Sequence, residues 1–307
     1  MNTRFLIVFF AFVFLFVSNT LVAEKKIKER TDEKKFFVEQ KGKLYITSNL
    51  GDVHISPGAD NEVHIVIKIK GTEKKVDKFT TEMTQDGNTI KIKGDFDRNL
   101  LDKFKFGMFR SSSLDVQFNI IVPNQFYSNI NTAGGDISVK GLKNKQEGNT
   151  SGGDVSIENC IGEMWFKTSA GSMEVRNCNG NINMMTKGGD ISIYNSVGDI
   201  DLQTSGGDIT LDDVNGKING ETSGGEINCR ALENKGMYLK TSGGGIRIKL
   251  PIGAKGNLEA STSFGEVNCA FPFEGTSKKT KMEGKFNGGG ELIKLKTSGG
   301  DIKIDTL

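Results

Sequence analysis

Thr186-Lys187-Gly188-Gly189-Asp190-Ile191-Ser192-Ile193 opens a stretch that ends at Gln203, and Thr204-Ser205-Gly206-Gly207-Asp208-Ile209-Thr210-Leu211 begins the next copy in step. The leading Thr recurs as Thr132, Thr150, Thr168, Thr186, Thr204 and Thr222, each 18 residues after the last. Looser copies begin at Thr241, Thr262 and Thr297. A period that admits no insertion marks each repeat as one turn of a stacked structure.

Reading down the columns gives the content of one turn. Five residues after the Thr stand Ile137, Val155, Met173, Ile191, Ile209 and Ile227, and two further on stand Val139, Ile157, Val175, Ile193, Leu211 and Cys229. Asp, Ser and Thr fill the places between, so apolar and polar residues alternate as in a half-buried strand. A second strand follows Gly162, Gly180, Gly198 and Gly216, with inward pairs Met164/Phe166, Ile182/Met184 and Ile200/Leu202; Ile218 is paired only with Gly220. Each unit is therefore strand, turn, strand, turn, and the Gly-Gly and Gly corners are expected to supply backbone angles that other residues disfavour. One such coil buries too few side chains to offset the cost of ordering its backbone, so neighbours must stack on it about 4.8 Å apart. The fold class this predicts is all-β: a parallel β-solenoid of 18-residue, two-strand coils with irregular β caps at both ends.

The regular solenoid spans residues 132–250. An N-terminal β region or cap is predicted over 41–131, and irregular coils with a C-terminal cap over 251–307. Residues 24–40 are rich in charge and poor in apolar side chains, which predicts a solvated linker. Arg4, the apolar run Phe5–Val17 and the small or apolar residues up to Ala23 form a secretory signal over 1–23. An uncleaved N-terminal anchor is the alternative, and no later segment is apolar enough to cross a bilayer. The chain is therefore expected to be exported, to the periplasm, the outer surface or the medium. A formal net charge of +2 in 307 residues argues against nucleic acid as partner.

The four cysteines stand in aliphatic columns: Cys229 and Cys269 seven residues after Thr, Cys160 and Cys178 ten after, with Leu142, Val214 and Leu232. They read as small core residues. Cys160 and Cys178 lie directly stacked, which also makes them a candidate disulfide in an oxidising compartment. Zinc would need four converging ligands, and the columns hold these sulfurs apart. A calcium β-roll needs Gly-Gly-x-Gly-x-Asp at both corners, and the second glycine of that loop is missing throughout. The column Asp136, Asp154, Asp190, Asp208 and Glu226 reads as solvated turn residues, so no cofactor or metal is expected. Paired carboxylates occur in every coil and single out no catalytic site, and His54 and His64 each sit between apolar neighbours as outward strand residues.

Two features break the pattern. Phe104, Phe106 and Phe109 lie in an aromatic stretch interleaved with Asp and Lys, which serves either as a cap over the first coil or as an exposed contact patch. Trp165 falls in an outward column otherwise filled by Glu147, Asn183, Asp201 and Asn219, which makes it a candidate contact residue.

Gly51-Asp52-Val53-His54-Ile55, Asp86-Gly87-Asn88-Thr89-Ile90 and Ile121-Val122-Pro123, followed by the Thr-Ser-Gly-Gly-Asp-Ile series and the closing Asn287-Gly288-Gly289-Gly290, resemble the bacterial putative-adhesin domains of unknown function. These are exported β-repeat proteins related to the head-GIN class. The resemblance covers residues 40 to 307 and defines no catalytic or binding residue. It implies a non-enzymatic adhesin-like or envelope-scaffold role, with a protein or an envelope polymer as partner. A periplasmic accessory of envelope-stress sensing or assembly is the alternative, and a polysaccharide-acting enzyme stands third.

Overall fold

Residues 18 apart lie on top of one another. Ile191 pairs in register with Ile209, and Ile193 with Leu211, and all four are buried. The same relation runs from Ile137 through Val155 and Met173 to Ile227. A computed structural model describes residues 26–97 and 114–307. Each coil contributes one strand to a 13-stranded sheet and one to a 14-stranded sheet, here called the first and second sheets. The inward side chains of both sheets form one continuous core, with Ile191, Ile193, Met184 and Leu202 fully buried in its middle.

The corners explain the repeated letters. Each Thr is buried and donates its hydroxyl to a glycine carbonyl of the preceding coil, as Thr186 Oγ1 does to Gly171 O at 2.9 Å. The same oxygen accepts the Gly189 N–H at 3.4 Å, so a buried hydroxyl is used twice. A Cβ on Gly153, Gly171, Gly189, Gly207 or Gly225 would lie 2.0–2.2 Å from the carbonyl oxygen of the glycine one coil earlier. None of these five has a left-handed φ, so the second glycine is needed for clearance and not for the backbone angle that the sequence suggested. The expectation of unusual angles does hold at the opposite corner, where Gly162, Gly180 and Gly198 have φ of 123°, 137° and 135°.

The carboxylate column is structural. Asp154 Oδ1 accepts the Ser172 N–H at 2.8 Å, Asp190 Oδ1 accepts that of Asp208 at 2.8 Å, and Asp208 Oδ1 accepts that of Glu226 at 2.7 Å. Ser172 fills its gap with a hydroxyl that accepts from Asp190 N at 3.3 Å. A further ladder occupies the turn after the first strand. Asn159, Asn177, Asn195 and Asp213 all have φ between 48° and 56°. Asn177 Nδ2 donates to Asn159 Oδ1 at 3.3 Å, and Asn195 Nδ2 to Asn177 Oδ1 at 3.4 Å. Asn and Asp tolerate this left-handed region best among residues that bear a side chain.

The ends are threaded. Lys43–Ser48 and Asp52–Pro57 form a coil beside Tyr127–Thr132 and Ile137–Lys140, with Thr89–Phe96 and Asp115–Val122 beyond it. Antiparallel strands then close both sheets: Glu62–Thr72 and Ile27–Phe37 on the first, Phe79–Asp86 on the second. The charged stretch read as a linker is thus a strand for residues 27–37. Its charges are those of a sheet edge, where they discourage further pairing. They pair across the ladder as Lys70–Glu29 and Lys35–Glu62, and Glu33 also lies within hydrogen-bond distance of His64 Nε2. At the far end the last coil turns back: Leu292–Lys296 lies between Met237–Lys240 and Gly256–Ser261, and Ile302–Thr306 between Ile246–Leu250 and Val267–Cys269. The loose spacing of Thr262 and Thr297 follows, because Thr297 Oγ1 bonds Gly244 O and Thr262 Oγ1 bonds Gly300 O.

Two column assignments change. The coil that starts at Thr222 is one residue longer overall, but its first turn is one residue shorter, with Arg230 against Asp212, Ala231 against Val214 and nothing against Asp213. Ala231 therefore stacks on Val214 inside, and Leu232 is 47% exposed. Cys269 sits on the open edge strand Val267–Cys269 and is only half-buried, unlike the other three cysteines.

Candidate surface site on the second sheet

Met164–Lys167 holds Met164 and Phe166 in the core and turns Trp165 outward, half-buried, on the face of the second sheet. The ladder sets its neighbours: Glu147 one coil before, then Asn183, Asp201, Asn219 and Tyr238 in the coils after. Lys167 Nζ stands 4.3 Å from the centroid of the indole, a cation–π contact that covers one face of the ring. Beside Trp165 runs a shallow trough of about 350 Å³, open to solvent, whose floor includes Asn183, Asp201 and Asn219.

The polar side chains of the trough are tied together. Asp201 accepts from Asn183 Nδ2 at 3.2 Å and from Asn219 Nδ2 at 2.8 Å. Asn183 Oδ1 is screened from solvent and has no partner. On the other side of Trp165, Glu147 gathers Tyr127 O–H at 2.6 Å, Asn129 Nδ2 at 3.1 Å and Lys145 Nζ at 2.5 Å. Burial would raise the Glu147 carboxyl, but hydrogen bonds from Lys145, Tyr127 and Asn129 outweigh it and hold the group below its usual range. Burial and then the Glu147 hydrogen bond push the Tyr127 phenol up. Glu147 is therefore a fixed anion and Tyr127 a neutral donor, an arrangement that orients side chains.

The other sequence candidates fall elsewhere. Phe104, Phe106 and Phe109 lie outside the described residues. Cys160 and Cys178 are buried, stacked and unbridged. In place of the bridge that stacking permits, Cys178 Sγ accepts the Cys160 backbone N–H at 3.4 Å, as Ser196 Oγ does for Cys178 N at 3.3 Å. The hydrogen bond with Cys160, and then burial, pushes the Cys178 thiol up. Among the described residues no group of three His, Cys, Asp or Glu is placed to hold a metal ion. Tyr238 and the Tyr127–Glu147 cluster were missed by sequence reasoning. Tyr238 would have been found by carrying the Trp165 column through the longer coil.

The family model for the Toastrack DUF4097 domain matches residues 42–305. The chain belongs to this family. The match runs through the stacked coils and both threaded ends, so the toastrack domain accounts for nearly all of the described structure. Similar solved structures include a "putative cell adhesion protein" of Clostridium sporogenes, 15% identical, covering 91% of this chain and 100% of that one with a TM-score of 0.23. A "putative lipid binding protein" of Parabacteroides distasonis is 15% identical over 89% of this chain and 96% of that one, TM-score 0.43. A "putative adhesin" of Bacteroides fragilis is 14% identical over 91% and 97%, TM-score 0.39. At such identity the likeness concerns the fold alone. No curated protein matches the toastrack chain.

Proposed function

We propose that this toastrack protein is an exported, non-enzymatic, adhesin-like scaffold that makes contact through the outer face of its second sheet. The observation that carries the reading is Trp165: a large aromatic turned outward on the sheet face, between the polar residues Glu147 and Asn183, where folding alone gains little from it. The scaffold around it is stiff. Each backbone ladder bond is backed by Thr, Asp and Asn ladders that link successive coils, so the face keeps its spacing when a partner docks. Export rests on the leader pattern of residues 1–23, and no helix among the described residues is long and apolar enough to cross a membrane.

Surface proteolysis combined with fractionation tests the proposal. Protease added to intact cells that make the protein should remove it, and purified protein should bind cells or envelope fragments in a way that Trp165→Ala weakens about tenfold. Retention inside protease-protected periplasm, with unchanged envelope binding by the variant, would favour the periplasmic-accessory role instead.

A further inference from the structure

We infer that the trough beside Trp165 binds an uncharged glycan chain, with a sugar ring stacked on the indole; the inference rests on the contact face proposed above and names its ligand. The trough's shape and chemistry exclude the other common occupants in turn. A peptide that docks by strand addition needs a free sheet edge. Met164–Lys167 is paired on both sides, to Gln146–Asn149 and to Ile182–Met185, so its backbone offers no free donors or acceptors. An anionic polymer needs a surplus of positive charge. The trough sets Lys145 and Lys217 against Glu163, Asp199 and Asp201, and Lys145 is already committed to Glu147. An acyl chain or an apolar helix needs a continuous hydrophobic strip. Here Met164, Ile182 and Ile200 reach the trough only as buried side chains at its base, and the outward column after the single aromatic is Asn183, Asp201 and Asn219.

What remains fits a sugar. One face of a pyranose is lined by C–H groups that lie flat on an indole, while its rim of hydroxyls both donates and accepts. The trough supplies both parts. Trp165 offers the ring face opposite the one that Lys167 covers. Asn183, Asp201 and Asn219 offer carboxamide and carboxylate groups held in place by their mutual hydrogen bonds, so little freedom is lost on binding. The column reaches Tyr238 four coils on, about 19 Å from Trp165 at the ladder spacing, before it continues to Lys294 and Glu259. Two outward aromatics with a polar floor between them suit a chain of several sugars lying across the strands, not a single one.

Affinity electrophoresis tests this with gels that contain laminarin, hydroxyethyl cellulose, mannan or dextran, and polygalacturonate as the acidic probe. Wild-type protein is expected to be retarded by at least one neutral glycan, at low and at high salt alike. Trp165→Ala should weaken that retardation about tenfold while Trp165→Phe keeps most of it. Trp165 is the only tryptophan in the chain, so the same glycan should change the intrinsic emission in a saturable way. Circular dichroism melts of both variants, expected to match wild type because the side chain points outward, keep a folding defect from passing as a binding defect. Retardation by none of the neutral glycans, or by polygalacturonate alone, or equally for wild type and Trp165→Ala, would overturn the inference. If envelope binding still depends on Trp165 while every neutral glycan fails, the contact face stands and the glycan falls. If a neutral glycan binds through Trp165 but the protein is shielded from added protease, the glycan stands and the surface role falls.

Discussion

Replacing Gly153 by alanine should damage the stack, while the same change at its neighbour Gly152 should not. A Cβ at Gly153 would lie 2.0 Å from Gly135 O and 2.3 Å from Gly135 C, backbone atoms that cannot swing aside. A comfortable carbon–oxygen contact is about 3.3 Å, so the two coils must part locally by about 1.3 Å. That displacement exceeds what the nearby bonds can stretch. Thr150 Oγ1 to Gly135 O at 3.0 Å, Asp154 N to Asp136 Oδ1 at 2.8 Å and Ile137 N to Asp154 O at 2.8 Å would all open. At about 0.5–1.5 kcal/mol each, with one buried carbonyl left unpaired besides, the expected loss is about 3–5 kcal/mol. At Gly152 an added Cβ meets nothing within 4 Å, its φ is not left-handed, and Ala170 already fills the equivalent corner one coil later. Gly152→Ala should therefore change stability by less than about 1 kcal/mol, with the sign favouring alanine through the unfolded chain. Urea titration of the far-ultraviolet signal, with the slope checked for constancy, measures both. Equal midpoints for the two variants would refute the clearance argument.

The asparagine ladder makes a second paired expectation. Asn177→Ala should cost about 1–2 kcal/mol for a left-handed φ of 54°, while Asn177→Gly keeps the backbone and should cost less; urea midpoints decide, and the reverse order would count against the turn geometry. Cys229 offers a pH test. Burial, helped by Asp212, pushes its thiol up to about 12, whereas in the unfolded chain it titrates near 8.5. The native state then holds its proton where the unfolded state has lost it, so this stability is whole below pH ~8.5 and is lost as pH rises toward 12. Between pH 7 and pH 10 the loss from this one thiol is about 2 kcal/mol. Cys229→Val should show a smaller decline over the same range, and an identical decline in both proteins would remove Cys229 as the cause.

The strict period made the core legible. Because nothing is inserted between Thr132 and Thr222, each inward column could be read by counting, and Ile191, Ile209, Met164 and Phe166 stand inside as the alternation required. Counting failed where the chain departs from it. A turn one residue shorter after Arg230 buried Ala231 and exposed Leu232, and the residues added between there and Met237 hid Tyr238 from the Trp165 column. The return of the last coil between two earlier ones leaves no trace in spacing, since Thr297 meets Gly244 only in space. Ile27–Phe37 reads as a linker in sequence because an edge strand and a solvated segment carry the same charges, and only the antiparallel pairing with Glu62–Thr72 separates them. The glycines and asparagines were visible as letters, but clearance between coils is a property of two residues 18 apart, which a single repeat does not reveal. For the surface site, the outward place of Trp165 could be read from its column. The trough and its hydrogen-bonded floor depend on side-chain directions that the pattern does not contain.

Nitroxide labels at Ser138→Cys and Thr210→Cys, with the native cysteines replaced, measure the stack directly. The two sites are 72 residues apart in sequence and, through Ser156, Glu174 and Ser192, four ladder steps apart in space. Coils stacked in register predict a single narrow backbone separation of about 19 Å, broadened only by the label arms. A distribution centred beyond about 35 Å, or one with no defined peak, would contradict the stacking on which the Trp165 face depends.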